Sequence, residues 1–397
     1  MSEAVPRWNC AVAAHLNHLR QTHLFRARSI VIPIDATHVQ SNGRRLVNFS
    51  SNNYLGLTHH PKVVAAAASA LARDGFGSGA APLITGYSRA HHCAEQAIAR
   101  WKGSETAVLF PSGYQANLAA IQTIAAIGKL SQGVRFLVDK LAHASLIDAI
   151  RGSGEMFRVF PHNGIAKLAR LLDDAPADQL QVVVTESIFS MDGDAADLAA
   201  IAKLKDQHGF FLLLDEAHAT GVYGPAGAGL AAEMSLRDMV DVSVITLSKA
   251  LGGIGGAVCT SEIFRDAIMN HGRGYLFSTA IPACVAAAGE AAVQVLHEEP
   301  GRQMRVRALA RRVREEIAAL RFAVPAGDSP IIPIILGSEQ SALTAAAQLL
   351  EAGMLVMPVR PPTVARGSSR LRVTLSSEHT DEEVDQLIGA IRNLAGS

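Results

Sequence analysis

The sequence predicts an α/β chain, with a mostly parallel central sheet in a large domain and a smaller α+β C-terminal domain. Three observations carry this reading. Short apolar runs recur between about residues 106 and 260, with helical segments between most of them. Alternation on that scale builds parallel strands through right-handed crossovers. One run, Phe210 to Leu214, is unbroken and ends in Asp215, as suits a strand covered on both faces. From about residue 285 the pattern stops, and two long helices lead into alternating short strands and helices.

Composition narrows the class. A chain of 397 residues is long enough for one large domain and one small one. Its 36 Lys plus Arg balance 36 Asp plus Glu, so no broad basic field for nucleic acid is expected. Cys10, Cys93, Cys259 and Cys284 are far apart, with neither metal-ligand spacing nor a disulfide framework. No metal site is expected, and a reducing cytoplasm is. No apolar run approaches membrane-spanning length, and the N-terminus shows no signal-peptide core, so no membrane partner is expected.

In order, the chain reads as an N-terminal arm (1–47), a large domain (48–284) and a C-terminal domain (285–397). Ala11 to Arg20 suits an amphipathic helix, followed by Arg26 and Arg28. Asn48 to Leu57 is a polar turn. Pro61 opens an alanine-rich helix to about Arg73, with proline in its first turn. Gly75 to Gly79 is a flexible link, and Ala90 to Trp101 the next helix. Thr106 to Phe110 is a strand. Pro111-Ser112-Gly113-Tyr114 then turns it into a helix, and such a joint can offer free amides and a positive dipole end to a phosphate. Further strands are predicted at 135–138, 156–159, 180–185, 210–214, 242–246 and 256–260. The C-terminal part reads as helices 283–298 and 302–320, strand 330–336, helix 340–352, strands near 354–359 and 370–375, and a last helix from about Thr380. The Arg-rich helix 302–320 reads as a solvated face.

Two strand ends carry candidate chemistry. Val242 to Thr246 ends in Ser248-Lys249, with Gly252, Gly253, Gly255 and Gly256 beyond. A lysine brought toward an apolar interior has a lowered pKa and becomes a better nucleophile. Read alone, a solvated lysine in a glycine-rich loop fits about as well. Asp215 and His218 lie at the carboxyl end of another strand, where ligands bind in open α/β sheets. Read alone, Asp215 also suits a helix N-cap. An amine and an acid at two strand ends together match what pyridoxal phosphate needs: a covalent anchor, and a partner for the pyridine nitrogen.

Nine blocks extend the match: NFSSNNYLGL (48–57), GYSRAHH (86–92), FPSGYQANL (110–118), HASL (143–146), ESIFSMDGD (186–194), DEAHATGVYG (215–224), TLSKALGGIGG (246–256), FSTAIP (277–282) and RPPTVARGSSRLRVTL (360–375). Together they resemble the α-oxoamine synthase family of fold-type I pyridoxal-phosphate enzymes, over nearly the whole chain. The resemblance implies an acyltransferase that condenses an amino acid with an acyl thioester of coenzyme A or acyl-carrier protein, with loss of carbon dioxide.

The resemblance also implies roles. Lys249 links to pyridoxal 5′-phosphate and moves the substrate proton. Asp215 faces the ring nitrogen, and His143 stacks on the ring and contacts the substrate carboxylate. Ser190 and His218 stand at the 3-hydroxyl, with Glu186 in the pocket floor. Gly113, Tyr114 and Thr246 hold the cofactor and its phosphate. Ser278 and Thr279 reach across a subunit boundary, which implies a homodimer. Arg26, Thr363 and Arg372 contact the substrate. Arg370 and Arg372 alternate on a strand, so both point to one face, and a guanidinium fork suits a carboxylate. The RPPTV turn favours an alanine-using member over glycine-using sisters. Lys249, Asp215 and His218 together argue against a non-catalytic partner subunit. The segment GSGAAPLITG (77–86) departs from the family at Ala81-Pro82-Leu83, which leaves the acyl chain and its carrier open.

Overall fold

The computed structural model describes residues 4–176 and 178–395. They fall into two compact units, residues 52–308 and residues 1–51 together with 309–397. The division differs from the expected one at both ends, for reasons of packing. The helix Ala283–Glu298 lies against Pro61–Asp74 and Arg89–Lys102, so it belongs to the large unit and not to the C-terminal domain. The expected arm does not stand apart either: Arg44–Asn48 pairs in parallel with Met354–Leu355. The first three residues of the arm and the last two of the C-terminal domain lie outside the described residues.

The large unit is built on seven strands in the spatial order Thr106–Phe110, Gly256–Thr260, Val242–Thr246, Phe211–Asp215, Leu180–Glu186, Val134–Asp139 and Met156–Phe160. All pairings are parallel except those of Gly256–Thr260, which is antiparallel to both neighbours. The predicted strands are all present. Their side chains are buried on both faces where helices cover the sheet, which is why the runs lack a polar alternation. Val108, Phe136, Val184, Leu213 and Val244 form one core with Ile121 and Ile124 of the helix Gly113–Lys129. Gly256 is needed where its strand passes the joint at Ser112-Gly113. A Cβ there would lie 2.7 Å from Gly113 backbone atoms.

The second unit holds two small sheets. One combines Ile32–Pro33, His38–Ser41, Arg44–Asn48 and Met354–Leu355; the other combines Ile331–Gly337, Ser369–Thr374 and Pro358–Val359. The basic helix, Gly301–Ala319, is not solvated throughout. Arg314 is buried and donates to the carbonyls of Pro325, Ser329 and Ile331, which fixes the loop that leads into Ile331–Gly337.

A buried ion pair sits directly behind the turn that follows Phe211–Asp215. Lys102 Nζ lies 2.5 Å from Glu216 Oε2, and both side chains are at most 4% exposed. Glu216 also accepts from Ala231 N–H and Ser243 Oγ. The pair lines a cavity of about 290 Å³ that contains none of the predicted site residues. Lys102→Met would leave the Glu216 carboxylate buried without its cation, a loss typically worth about 3–5 kcal/mol. The expected outcome is a clear drop in the urea unfolding midpoint. An unchanged midpoint would show that Glu216 is supported by its neutral donors alone.

Candidate active site

The site of the large unit forms at the carboxyl edge of its parallel strands. Asp215 pairs with Glu186 on one side and Val244 on the other. It is 5% exposed, and both oxygens are met by N–H donors. Asn117 Nδ2 donates to Oδ2 at 2.7 Å, and Ala217 N–H to Oδ1 at 2.9 Å. The second bond closes the turn after the strand, so the N-cap geometry suspected from sequence is present in part.

Asn117 extends the network. Its Nδ2 also donates to Ser145 Oγ at 3.0 Å, and Ser145 Oγ lies 2.7 Å from His143 Nδ1. Ser145 N–H points to the same nitrogen at 3.2 Å. His143 Nδ1 is therefore the acceptor, and the ring proton sits on Nε2. Burial lowers the His143 pKa against the pull of the Asp215 charge, and the Lys249 charge lowers it further, which keeps the ring neutral near pH 7. A neutral ring with an outward Nε2–H can lie flat against an aromatic group or donate to a carboxylate.

Glu186 completes the floor. The backbone N–H of His143 bonds its carboxylate. Burial, and next the charge on Asp215, push its pKa well above the ordinary carboxylate range, with the charge on Lys249 opposing. Lys249 itself is half-buried just past Val242–Thr246. His143, Glu186, Asp215 and Lys249 are thus brought within electrostatic reach of one another from four separate stretches.

The helix Gly113–Lys129 begins beside Thr246. A Cβ on Gly113 would meet Thr246 Cβ at 3.5 Å. Thr246 Oγ1 donates to Gly255 O at 3.0 Å and accepts from Ser248 N–H at 3.2 Å. Ser112 caps only Gln115 N–H, so Gly113 and Tyr114 offer main-chain donors at the positive end of the helix. Tyr114 is exposed, and its hydroxyl donates to Asp148 at 2.8 Å. Ser278 Oγ accepts from Gln115 Nε2 at 3.3 Å, which ties the 277–282 segment to that helix. His218 is buried, with Nδ1 2.8 Å from Tyr54 Oη. Ser190 is half-buried in the turn between Phe189 and Asp194.

The remaining predicted residues belong to the other unit. Arg372 is half-buried on Ser369–Thr374, and Arg370 is buried. Arg26 Nη2 donates to the carbonyls of Arg360 and Pro361, at 3.2 and 2.8 Å. Thr363 is exposed, with its N–H bonded to Arg360 O. Arg360 is buried and bonded to the carbonyls of His23 and Phe25.

The aminotransferase class I and II family matches residues 44–391. An 8-amino-7-oxononanoate synthase of Anaeromyxobacter dehalogenans is 43% identical over 381 residues, which is 96% of this chain and 94% of the relative. The chain belongs to the aminotransferase class I and II family, in its α-oxoamine synthase branch. Solved structures of the branch are similar throughout. A serine palmitoyltransferase solved with pyridoxal phosphate has a TM-score of 0.91 at 27% identity, over 97% of both chains. An 8-amino-7-oxononanoate synthase of Francisella tularensis has a TM-score of 0.74 at 26% identity, over 88% of this chain and 97% of the other.

The cofactor of an α-oxoamine synthase is pyridoxal 5′-phosphate, and the residues here fit it. The helix start at Gly113 suits a phosphate, and Asp215 a protonated pyridine nitrogen. Glu186 Oε1 and Asn117 Oδ1 are buried without hydrogen-bond partners, as expected beside a polar guest. Asn117 and Tyr54 were not singled out from sequence. Asn117 gives little signal there, since Gln115 and Gln122 on the same helix look alike in sequence.

The shift on Glu186 has a pH signature. Its folded pKa lies above its unfolded one, so wild-type stability falls as pH rises from the ordinary carboxylate value toward the raised one. Glu186→Gln has no proton to lose. Its melting temperature relative to the wild type should climb as pH rises above the ordinary carboxylate value. Parallel curves would show that Glu186 ionises normally in the fold.

Proposed function

We propose that this chain condenses L-alanine with a pimeloyl thioester, on coenzyme A or acyl-carrier protein, to give 8-amino-7-oxononanoate, carbon dioxide and the free thiol in biotin biosynthesis. The reading rests on the convergence of Lys249, Asp215, Glu186 and His143 at one sheet edge. It is supported by relatives carrying that product's name at about 40% identity over nearly the full chain.

Pyridoxal phosphate, when bound, supplies an electron sink for negative charge on the amino acid's α-carbon. Lys249 would hold it covalently, and the freed Lys249 amine would take the α-proton. Asp215, fixed by Asn117 and Ala217, would keep a proton on the ring nitrogen. His143 would brace the ring and offer Nε2–H to the substrate carboxylate. His218 and Ser190 would bond the 3-hydroxyl. Gly113, Tyr114 and Thr246 would hold the phosphate. Arg372 would take the carboxylate with its guanidinium fork, and Thr363 and Arg26 would contact the substrate. The α-carbon then bonds the acyl carbon as the carbon–sulfur bond breaks and the thiol leaves. Loss of the carboxylate as carbon dioxide and return of a proton complete the product.

Two copies of the chain form the working unit, with Ser278 and Thr279 completing the partner's phosphate site. Phe277 at 72% exposure is the kind of side chain such a contact would cover. The enzyme works in the cytoplasm; among the described residues no helix is long and apolar enough to cross a membrane.

The similarity to serine palmitoyltransferases makes serine and glycine the rival substrates. Carbon dioxide release should be measured for alanine, glycine and serine against several acyl thioesters. Alanine with a pimeloyl thioester is expected to be fastest; faster release with glycine or serine throughout would overturn the reading. Arg372→Ala should weaken L-alanine binding by roughly 2–5 kcal/mol. Arg372→Lys should restore only part, since an ammonium lacks the bidentate contact. Unchanged binding in Arg372→Ala would place the carboxylate elsewhere.

A further inference from the structure

Outside the residues assigned to the cofactor, one polar cluster joins two loops that carry them. His162 stands at the corner that follows Met156–Phe160, with a carboxylate at each ring nitrogen. Nδ1 is 3.2 Å from Asp139 Oδ1, and Nε2 is 2.7 Å from Asp194 Oδ2. Both contacts can be made at once only by an imidazolium that donates twice. Burial works against the charge, but the bonds to Asp139 and Asp194 outweigh it and push the His162 pKa up to about 10. The ring also meets Phe189 edge-on, with centroids 4.3 Å apart.

Each carboxylate belongs to a loop of the site. Asp139 ends Val134–Asp139 and is 1% exposed. It accepts from Leu141 N–H at 2.8 Å and Asn163 N–H at 3.0 Å, which shapes the short link to His143. Asp194 closes the turn that carries Ser190, through backbone bonds between Phe189 and Asp194 and between Gly193 and Phe189. Its other oxygen, Oδ1, is buried without a hydrogen-bond partner, so the imidazolium is the main support for its charge. Asn163 adds a second tie, donating to Ala195 O at 3.0 Å.

We propose that His162 is a positioning residue, whose doubly donating ring clamps the Asp139–His143 link to the Phe189–Asp194 turn and so sets the spacing of His143 and Ser190 about the cofactor. The inference rests on the assignment of His143 and Ser190 to the cofactor site. The clamp transmits geometry and does not touch the reacting atoms. It holds the ring's stacking partner on one loop and a 3-hydroxyl partner on the other, so its loss should loosen both.

The test uses full-length holoenzyme carrying His162→Ala, His162→Gln, Asp194→Asn, the His162→Gln/Asp194→Asn pair, and His143→Ala as a control. The readouts are the pyridoxal-phosphate dissociation constant and the visible spectrum with and without L-alanine. His162→Ala should weaken cofactor binding about tenfold and alter the spectrum. His162→Gln should do the same, because its two N–H donors sit on one nitrogen and carry no charge, whereas the imidazolium donates from opposite sides of a ring. Adding Asp194→Asn to His162→Gln should recover part of the loss, since a neutral amide pair replaces an unpaired charge. Wild-type affinity and spectrum in His162→Ala, even with a lower melting temperature, would overturn the proposal and leave His162 a stability residue only. If His143→Ala also leaves the spectrum unchanged, the assignment of the site is what has failed. Should His162→Ala not fold, Asp194→Asn carries the test: an altered spectrum supports the clamp, and an unaltered one overturns it.

Discussion

The site hangs on one small polar side chain. The amide of Asn117 donates at once to Asp215 and to Ser145, and Ser145 in turn donates to His143 Nδ1. Buried polar groups are costly unless every member of their network is satisfied. That cost makes the network directional: it leaves His143 with its proton on Nε2, and Asp215 with oxygens already met by N–H groups. Asn117 is 2% exposed and is carried by a helix whose other inward residues, Thr123 apart, are apolar. The position of that helix therefore decides the orientation of an acid on one strand and of a histidine after another.

The same logic recurs behind the site. Carboxylates at strand ends cannot stand alone in an apolar interior, and each here has found a different answer. Glu216 takes the Lys102 cation and two neutral donors. Asp139 and Asp194 share one imidazolium. Glu186, buried and crowded by the charge on Asp215, has its pKa pushed well above the carboxylate range instead. A parallel sheet brings such ends together because every crossover returns the chain to the same edge. Residues 113, 143, 186, 215 and 249 become neighbours for that reason alone.

What could be read from the sequence follows from what is local. Fully buried strands announce themselves as apolar runs, and every strand of the seven-stranded sheet appears where the runs lie. Lys249 and Asp215 were visible because each interrupts such a run at its end. The misreadings concern partners distant in sequence. Helix 283–298 has the same local pattern whichever unit it joins, and only its packing on Pro61–Asp74 and Arg89–Lys102 decides. The arm's strand Arg44–Asn48 needed Met354–Leu355, some three hundred residues on, to be seen as part of a sheet. Arg314 looked solvated because an Arg-rich helix gives no sign of three carbonyls waiting beneath it. Asn117, Tyr54 and His162 act through other residues, and spacing along the chain carries no record of that.

The amine just past the end of Val242–Thr246 is the proposed covalent anchor for pyridoxal phosphate. Borohydride reduction of the yellow holoenzyme, followed by proteolysis and mass analysis, tests it most directly. A single phosphopyridoxyl adduct is expected, on the peptide that contains Lys249, and it should disappear when L-alanine is added before the reductant. An adduct on a different lysine, or labelling that L-alanine does not prevent, would contradict it.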